Sequence, residues 1–238
     1  MTLYFGSCRY HKLFGEEYTF PPRVHSTKEI INLFDHYNDI PGYLRGFPNE
    51  MHSIIFGDIN HPSVSKLWKH YLRNMNARKK IIHTVIIEIS SLKYMMFNDK
   101  TVCNTFFYEQ LKHTLNIEDT HAYKLHKQSF SELHDDIVKI KKMIHERFGN
   151  QKIKLVIIPH VNLYSTRTKQ YIPEREELCD NLLKICNELN IIYASMKDCV
   201  PSNVTLEQVL PDGFHFKDQK YKNMLKSHVR KKLSNNIH

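Results

Sequence analysis

Short aliphatic runs alternate along the chain with stretches whose apolar positions recur every three or four residues. Leu3-Tyr4-Phe5 is a short apolar run broken by Gly6, and Ser53-Ile54-Ile55-Phe56 is another, ended by Gly57-Asp58. His83-Thr84-Val85-Ile86-Ile87-Glu88-Ile89 is rich in β-branched residues, and Lys154-Leu155-Val156-Ile157-Ile158 is stopped by Pro159. Ile191-Ile192-Tyr193-Ala194 is the fifth run. Such runs, bounded by turn residues, predict strands buried on both faces.

The periodic stretches predict helices between them. Ser26-Thr27-Lys28-Glu29 is a capping box opening a helix with Ile30, Ile31, Phe34 and Tyr37 on one face. Pro62 opens a second, with Val64, Leu67, Trp68, Tyr71 and Met75. Leu133, Ile137, Ile140 and Ile144 stripe a helix from about Phe130 to Phe148, and Leu178, Leu182, Ile185 and Leu189 stripe one opened by Pro173. Phe216 to about Leu233 is the last. Regular alternation of this kind predicts an α/β protein, with a five-stranded parallel sheet covered by helices on both faces. Ligands of such sheets bind outside the carboxyl ends of the strands. The segment 94–128 breaks the rhythm. It reads either as a lid inserted above the strand ends or as a short helix patching the edge of the core. No linker or internal repeat divides residues 1–238, which read as one domain.

Composition narrows the class. The longest aliphatic runs are far short of a membrane span, which needs about 20 apolar residues. No signal peptide is visible at the N-terminus, so a soluble, cytoplasmic protein is expected. Lys and Arg number 34 against 25 Asp and Glu, for a formal charge of +9. The last helix is densest in basic residues: Lys217, Lys220, Lys222, Lys226, Arg230, Lys231 and Lys232. It reads as a solvated face, with nucleic-acid binding as the alternative. Richness in Ile, Lys and Asn fits an AT-rich genome such as that of a large DNA virus or a parasite. The five cysteines, Cys8, Cys103, Cys179, Cys186 and Cys199, form no C-x-x-C pair, and the histidines lack metal-ligand spacing. Neither a disulfide framework, nor a metal, nor a cofactor is expected, and most of the cysteines read as small buried hydrophobes.

Two short motifs carry candidate chemistry. Ser7, in Phe5-Gly6-Ser7-Cys8, follows the first strand, where a tight turn exposes the hydroxyl and offers the serine N–H to an oxyanion. Asp212-Gly213-Phe214-His215 precedes the last helix, and a D-x-x-H turn lets a carboxylate orient an imidazole toward a nucleophile. In this order and these places, Gly6-Ser7 and Asp212-x-x-His215 resemble the SGNH (GDSL-type) hydrolase superfamily, in its GSCFA-like variant. The resemblance implies a three-layer α/β/α sandwich of flavodoxin-like type and an esterase or acyltransferase acting on O-acyl esters, carbohydrate O-acetyl groups above all. It implies Ser7 as nucleophile, His215 as base and Asp212 as its orienting partner, with the N–H groups of Ser7 and Gly57 as oxyanion donors. The superfamily's third donor is an Asn after strand three. Here Glu88-Ile89-Ser90-Ser91 has no Asn, so Ser90 or Ser91 stands in its place. A lost oxyanion donor costs about 10²–10³ in turnover, which keeps open a catalytically inactive relative that binds a glycan or a protein.

Around these, Arg9 reads as an anion-binding group or a surface ion-pair donor, and His160 and Asn162 as pocket-lining or plain loop residues. Cys8 reads as a buried thiol or a rival nucleophile. Glu88, near the end of a central strand, is expected to pair with a basic group, since an unpaired carboxylate there is costly. The partner implied by the whole is a small-molecule or glycan ester.

Overall fold

The computed structural model describes residues 2–7, 18–19, 23–56, 82–105, 108, 122–148, 152–159, 164–165, 170–211 and 216–235. They fall into two compact units. The first comprises residues 1–19, 83–91 and 152–238, and the second residues 20–82 and 92–151.

The first unit is built on a parallel sheet. Its strands are β1 (Thr2–Phe5), β2 (Tyr18–Thr19), β3 (Thr84–Ile89), β7 (Lys154–Pro159) and β10 (Ile192–Tyr193), in the order β10–β7–β3–β1–β2. Every pairing is parallel. Four of the five predicted strands therefore enter one sheet, and the two-residue β2 takes the edge beside β1. Numbered among themselves along the chain, the strands run 2-1-3-4-5, the flavodoxin-like order whose topological switch point lies between β1 and β3.

Helix α5 (Pro173–Glu188) and helix α7 (Gln219–Asn235) cover opposite faces of this sheet. Side chains alternate along a strand, so Val156, Ile158 and Ile192 join Tyr221, Leu225 and Val229 of α7 in one buried cluster. On the other face Tyr193 donates its hydroxyl hydrogen bond to the Cys179 carbonyl of α5 (3.4 Å). The remaining positions of α7, including exposed Lys220, Arg230 and Lys231, carry its charge away from the sheet. A short helix α6 (Leu206–Val209), closed by a Thr205–Gln208 capping box, adds Val209 to the α7 side. Strands β8 (Tyr164–Ser165) and β9 (Gln170–Tyr171) form a separate two-residue antiparallel pair.

The second unit holds α1 (Thr27–Asp35), α2 (Ile40–Leu44), α3 (Asn49–Phe56) and α4 (Phe130–Phe148). It also holds a three-stranded antiparallel sheet, β5–β4–β6, of β4 (Lys93–Phe97), β5 (Thr101–Cys103) and β6 (Tyr123–Lys127). Ser26 caps α1 as its sequence predicts, accepting from Glu29 N–H. Helix α1 packs on α4 through Ile30, Leu33, Ile137 and Ile140, all buried. Beneath them Asp136 accepts hydrogen bonds from Thr27 Oγ1 (2.7 Å), Gln128 Nε2 (2.7 Å) and Lys28 Nζ (2.8 Å).

One expectation is corrected here. Ser53-Ile54-Ile55-Phe56 is not a strand: it is the last part of α3, and Met51, Ile54 and Ile55 fill one buried helical face. The segment 94–128, where it is described, contributes most of the antiparallel sheet, and in it Thr105 and the buried Tyr108 are helical. Asn98 and Asp99 turn β4 into β5 with left-handed backbone, φ 50° and 55°, the conformation Asn and Asp tolerate best in tight hairpins. The expected helix from Pro62 lies outside the described residues. No helix among the described residues is long and apolar enough to cross a membrane.

Two outcomes follow for stability and thiol chemistry. Asp136→Ala takes the acceptor from buried Gln128 Nε2 and the ion-pair partner from half-buried Lys28, while Thr27 Oγ1 keeps Gln128 Oε1 at 3.0 Å. It is expected to lower unfolding free energy by about 1–3 kcal/mol, read as a shifted midpoint in urea. Burial pushes the thiols of Cys103 and Cys186 up to about 12, and those of Cys179 and Cys199 up to about 11. These four should react with iodoacetamide at pH 7.5 only after denaturation, as counted by intact mass.

Candidate functional site

Parallel pairing of β1 with β3 aligns Tyr4 with Ile86 and Phe5 with Ile87. The next step brings the turn after β1 beside Glu88, at the switch point of the sheet. Ser7 lies on this turn, 5% exposed, and the Glu88 side chain is fully buried. A single carboxylate oxygen, Glu88 Oε2, collects three donors. Ser7 Oγ donates to it at 2.6 Å, Ser7 N–H at 2.8 Å and the Tyr4 hydroxyl at 2.6 Å. The Tyr4 oxygen also lies 3.1 Å from the Ser7 carbonyl. Its one proton favours the shorter, charge-assisted bond to the carboxylate.

Gly6 is required by this convergence. A Cβ built there would lie 2.6 Å from Glu88 Cβ and closer still to the Tyr4 hydroxyl oxygen. Only a residue without a side chain lets β1 end against β3 at this separation.

Among the described residues, the donors to Glu88 Oε2 are neutral groups of Tyr4 and Ser7, and two of the three belong to the residue expected as nucleophile. Sequence reasoning missed this role for Glu88, and it missed Tyr4 altogether. One signal was legible: a lone acidic residue in an otherwise aliphatic parallel strand, one step beyond the point where β1 runs out into Gly6-Ser7.

Ser90 and Ser91 follow β3 directly and are partly exposed. Gly57, Arg9, His160, Asn162, Cys8, Asp212 and His215 lie outside the described residues. The residues before Gly57 are helix α3 of the second unit and not the second strand, so the strand end that was to present its N–H is not formed there. Among the described residues no group of three or more His, Cys, Asp or Glu is placed to hold a metal ion.

No family model matches the chain, and no curated protein matches it in sequence. Its fold is similar to those of solved esterases. Est24, a carbohydrate acetylesterase from Sinorhizobium meliloti, is 12% identical with a TM-score of 0.41, and 98% of each chain is covered. The aryl esterase of M. smegmatis is 9% identical with a TM-score of 0.40, again over 98% of each chain. A variant of Axe2, an acetyl-xylooligosaccharide esterase from Geobacillus, is 11% identical with a TM-score of 0.42, over 98% of this chain and 93% of that one. Likenesses at this level assign neither substrate nor mechanism.

Gly6→Ala tests the close approach. The added methyl must push Tyr4 or Glu88 aside, at a cost of about 1–3 kcal/mol. The variant should unfold at correspondingly lower urea.

Proposed function

We propose that the chain is a serine-dependent esterase or acyltransferase of SGNH type, acting on O-acyl esters, with O-acetyl groups of carbohydrates as the substrate class. The observation that carries this reading is the position of Ser7. Its hydroxyl stands on the turn after β1, beside β3, at the switch point where a 2-1-3-4-5 sheet binds its ligand, and it is hydrogen bonded to a buried carboxylate. Ser7 attacks the ester carbonyl and becomes acylated, and water or an acceptor hydroxyl then removes the acyl group. His215, oriented by Asp212, handles the proton. Ser90 supplies an oxyanion contact in place of the missing Asn, and Arg9, His160 and Asn162 line the substrate site.

One observation favours a second reading, a non-catalytic domain of the same fold that binds a glycan or a protein. The Ser7 amide, an oxyanion donor in the first reading, is already donated to Glu88.

Turnover of p-nitrophenyl esters and sugar acetates separates the two. Ser7→Ala and His215→Ala should fall to nearly the same residual rate, because groups acting as a unit do not lose activity additively. Asp212→Asn should be milder, and Cys8→Ala should retain most of the activity. Wild-type protein no faster than Ser7→Ala on every ester would leave the binding domain as the function.

A further inference from the structure

We propose that Glu88 is a catalytic residue, the base that takes the Ser7 hydroxyl proton when Ser7 attacks. This rests on the serine reading above and reassigns one of its proton transfers. The resemblance to the SGNH superfamily supplies no carboxylate at this place. The case for one is geometric.

A general base must lie within hydrogen-bond reach of the proton it removes. Glu88 Oε2 is 2.6 Å from Ser7 Oγ, within hydrogen-bond reach of the proton to be lost. The carboxylate is held there. Its oxygen also receives the Ser7 amide at 2.8 Å and the Tyr4 hydroxyl at 2.6 Å, its side chain is fully buried, and Gly6 leaves no room on its flank. Fixed distances of this kind are what an efficient proton acceptor requires. Tyr4, donating to Oε2, is a positioning residue that keeps the carboxylate aimed at Ser7.

The transfers balance as follows. Ser7 Oγ forms a bond to the acyl carbon, the carbonyl π pair moves onto its oxygen, and the Oγ proton passes to Glu88 Oε2. As the carbonyl re-forms, the bond to the leaving oxygen breaks with its electron pair, and that oxygen takes the proton from Glu88. In the second half-reaction water attacks the acyl carbon and gives a proton to His215, which returns it to Ser7 Oγ as that bond breaks. Glu88 thus serves acylation and His215 deacylation.

A fluorophosphonate probe isolates the first step, since Ser7 Oγ bonds to phosphorus, fluoride leaves, and no deacylation is needed. Labelling of full-length protein would be followed by intact mass, with the Ser7 peptide identified after digestion. In Glu88→Gln, which keeps an accepting oxygen but removes the basic charge, labelling should slow at least 100-fold while circular dichroism stays unchanged. In His215→Ala, labelling should stay within about tenfold of wild type although ester turnover is lost. Should Glu88→Gln fail to fold, Glu88→Asp decides, because it keeps the buried charge and draws the carboxylate back from Ser7. At least a tenfold loss is then expected. Wild-type labelling rates in the folded Gln or Asp variant, with His215→Ala unreactive, overturn the assignment of Glu88 and leave the serine mechanism standing. A wild-type protein that never labels at Ser7 overturns both.

Discussion

A carboxylate shut away from water at the meeting of β1 and β3 sets the geometry at the carboxyl end of these two strands. Burying such a group is costly unless it is hydrogen bonded, and each bond to a charged group contributes about 1.5–3 kcal/mol. Glu88 resolves this with donors drawn from β1 and the turn that follows it: Tyr4 from within the strand, Ser7 from just beyond it. The turn is therefore specified by what the carboxylate needs. Phe5 and Gly6 lie between the two donors, and position 6 must be glycine because a Cβ there would come within 2.6 Å of Glu88 Cβ. Three consecutive demands on Tyr4, Gly6 and Ser7 thus trace to one side chain on the neighbouring strand.

The sheet explains why that side chain can be there at all. In a parallel sheet covered on both faces every strand position is aliphatic by default, as Val85, Ile86, Ile87 and Ile89 are. A polar side chain is tolerated at the carboxyl end of the switch-point strands, where the crossovers depart to opposite sides and leave a crevice. Glu88 occupies the first such position on β3. Tyr4 shares its face with Ile86 and Val156 and belongs to the buried cluster against α7, so the ring is core and the hydroxyl is the part that reaches Glu88.

Much of this frame was legible in the sequence. The stripes of α4 and α5 and the aliphatic runs of β3 and β7 each satisfy one period without conflict, and the structure forms them nearly where the patterns end. The failure at Ser53–Phe56 has a physical cause. A four-residue apolar run fits a strand or a buried helical turn equally, and the deciding residue, Met51 at three and four positions before Ile54 and Ile55, lies outside the run. The hairpin of β4 and β5 was missed although Asn98-Asp99 is a turn signal, because β4 buries only Met95 of its five residues and shows no clean alternation. The partners of Glu88 were illegible for another reason. Period and propensity place backbones, whereas the meeting of Tyr4, Ser7 and Glu88 depends on the register between strands about 80 residues apart.

In the proposed acylation, charge accounting favours the same carboxylate as the proton acceptor. With an external base, attack by Ser7 creates an oxyanion while Glu88 keeps its own charge a few ångströms away, and two negative groups in a water-poor site repel strongly. With Glu88 as the acceptor, the proton arrives on the carboxylate as the oxyanion forms. One negative charge moves from protein to substrate, and none is added. The Ser7 amide and Tyr4 hydroxyl then face a neutral acid instead of an anion.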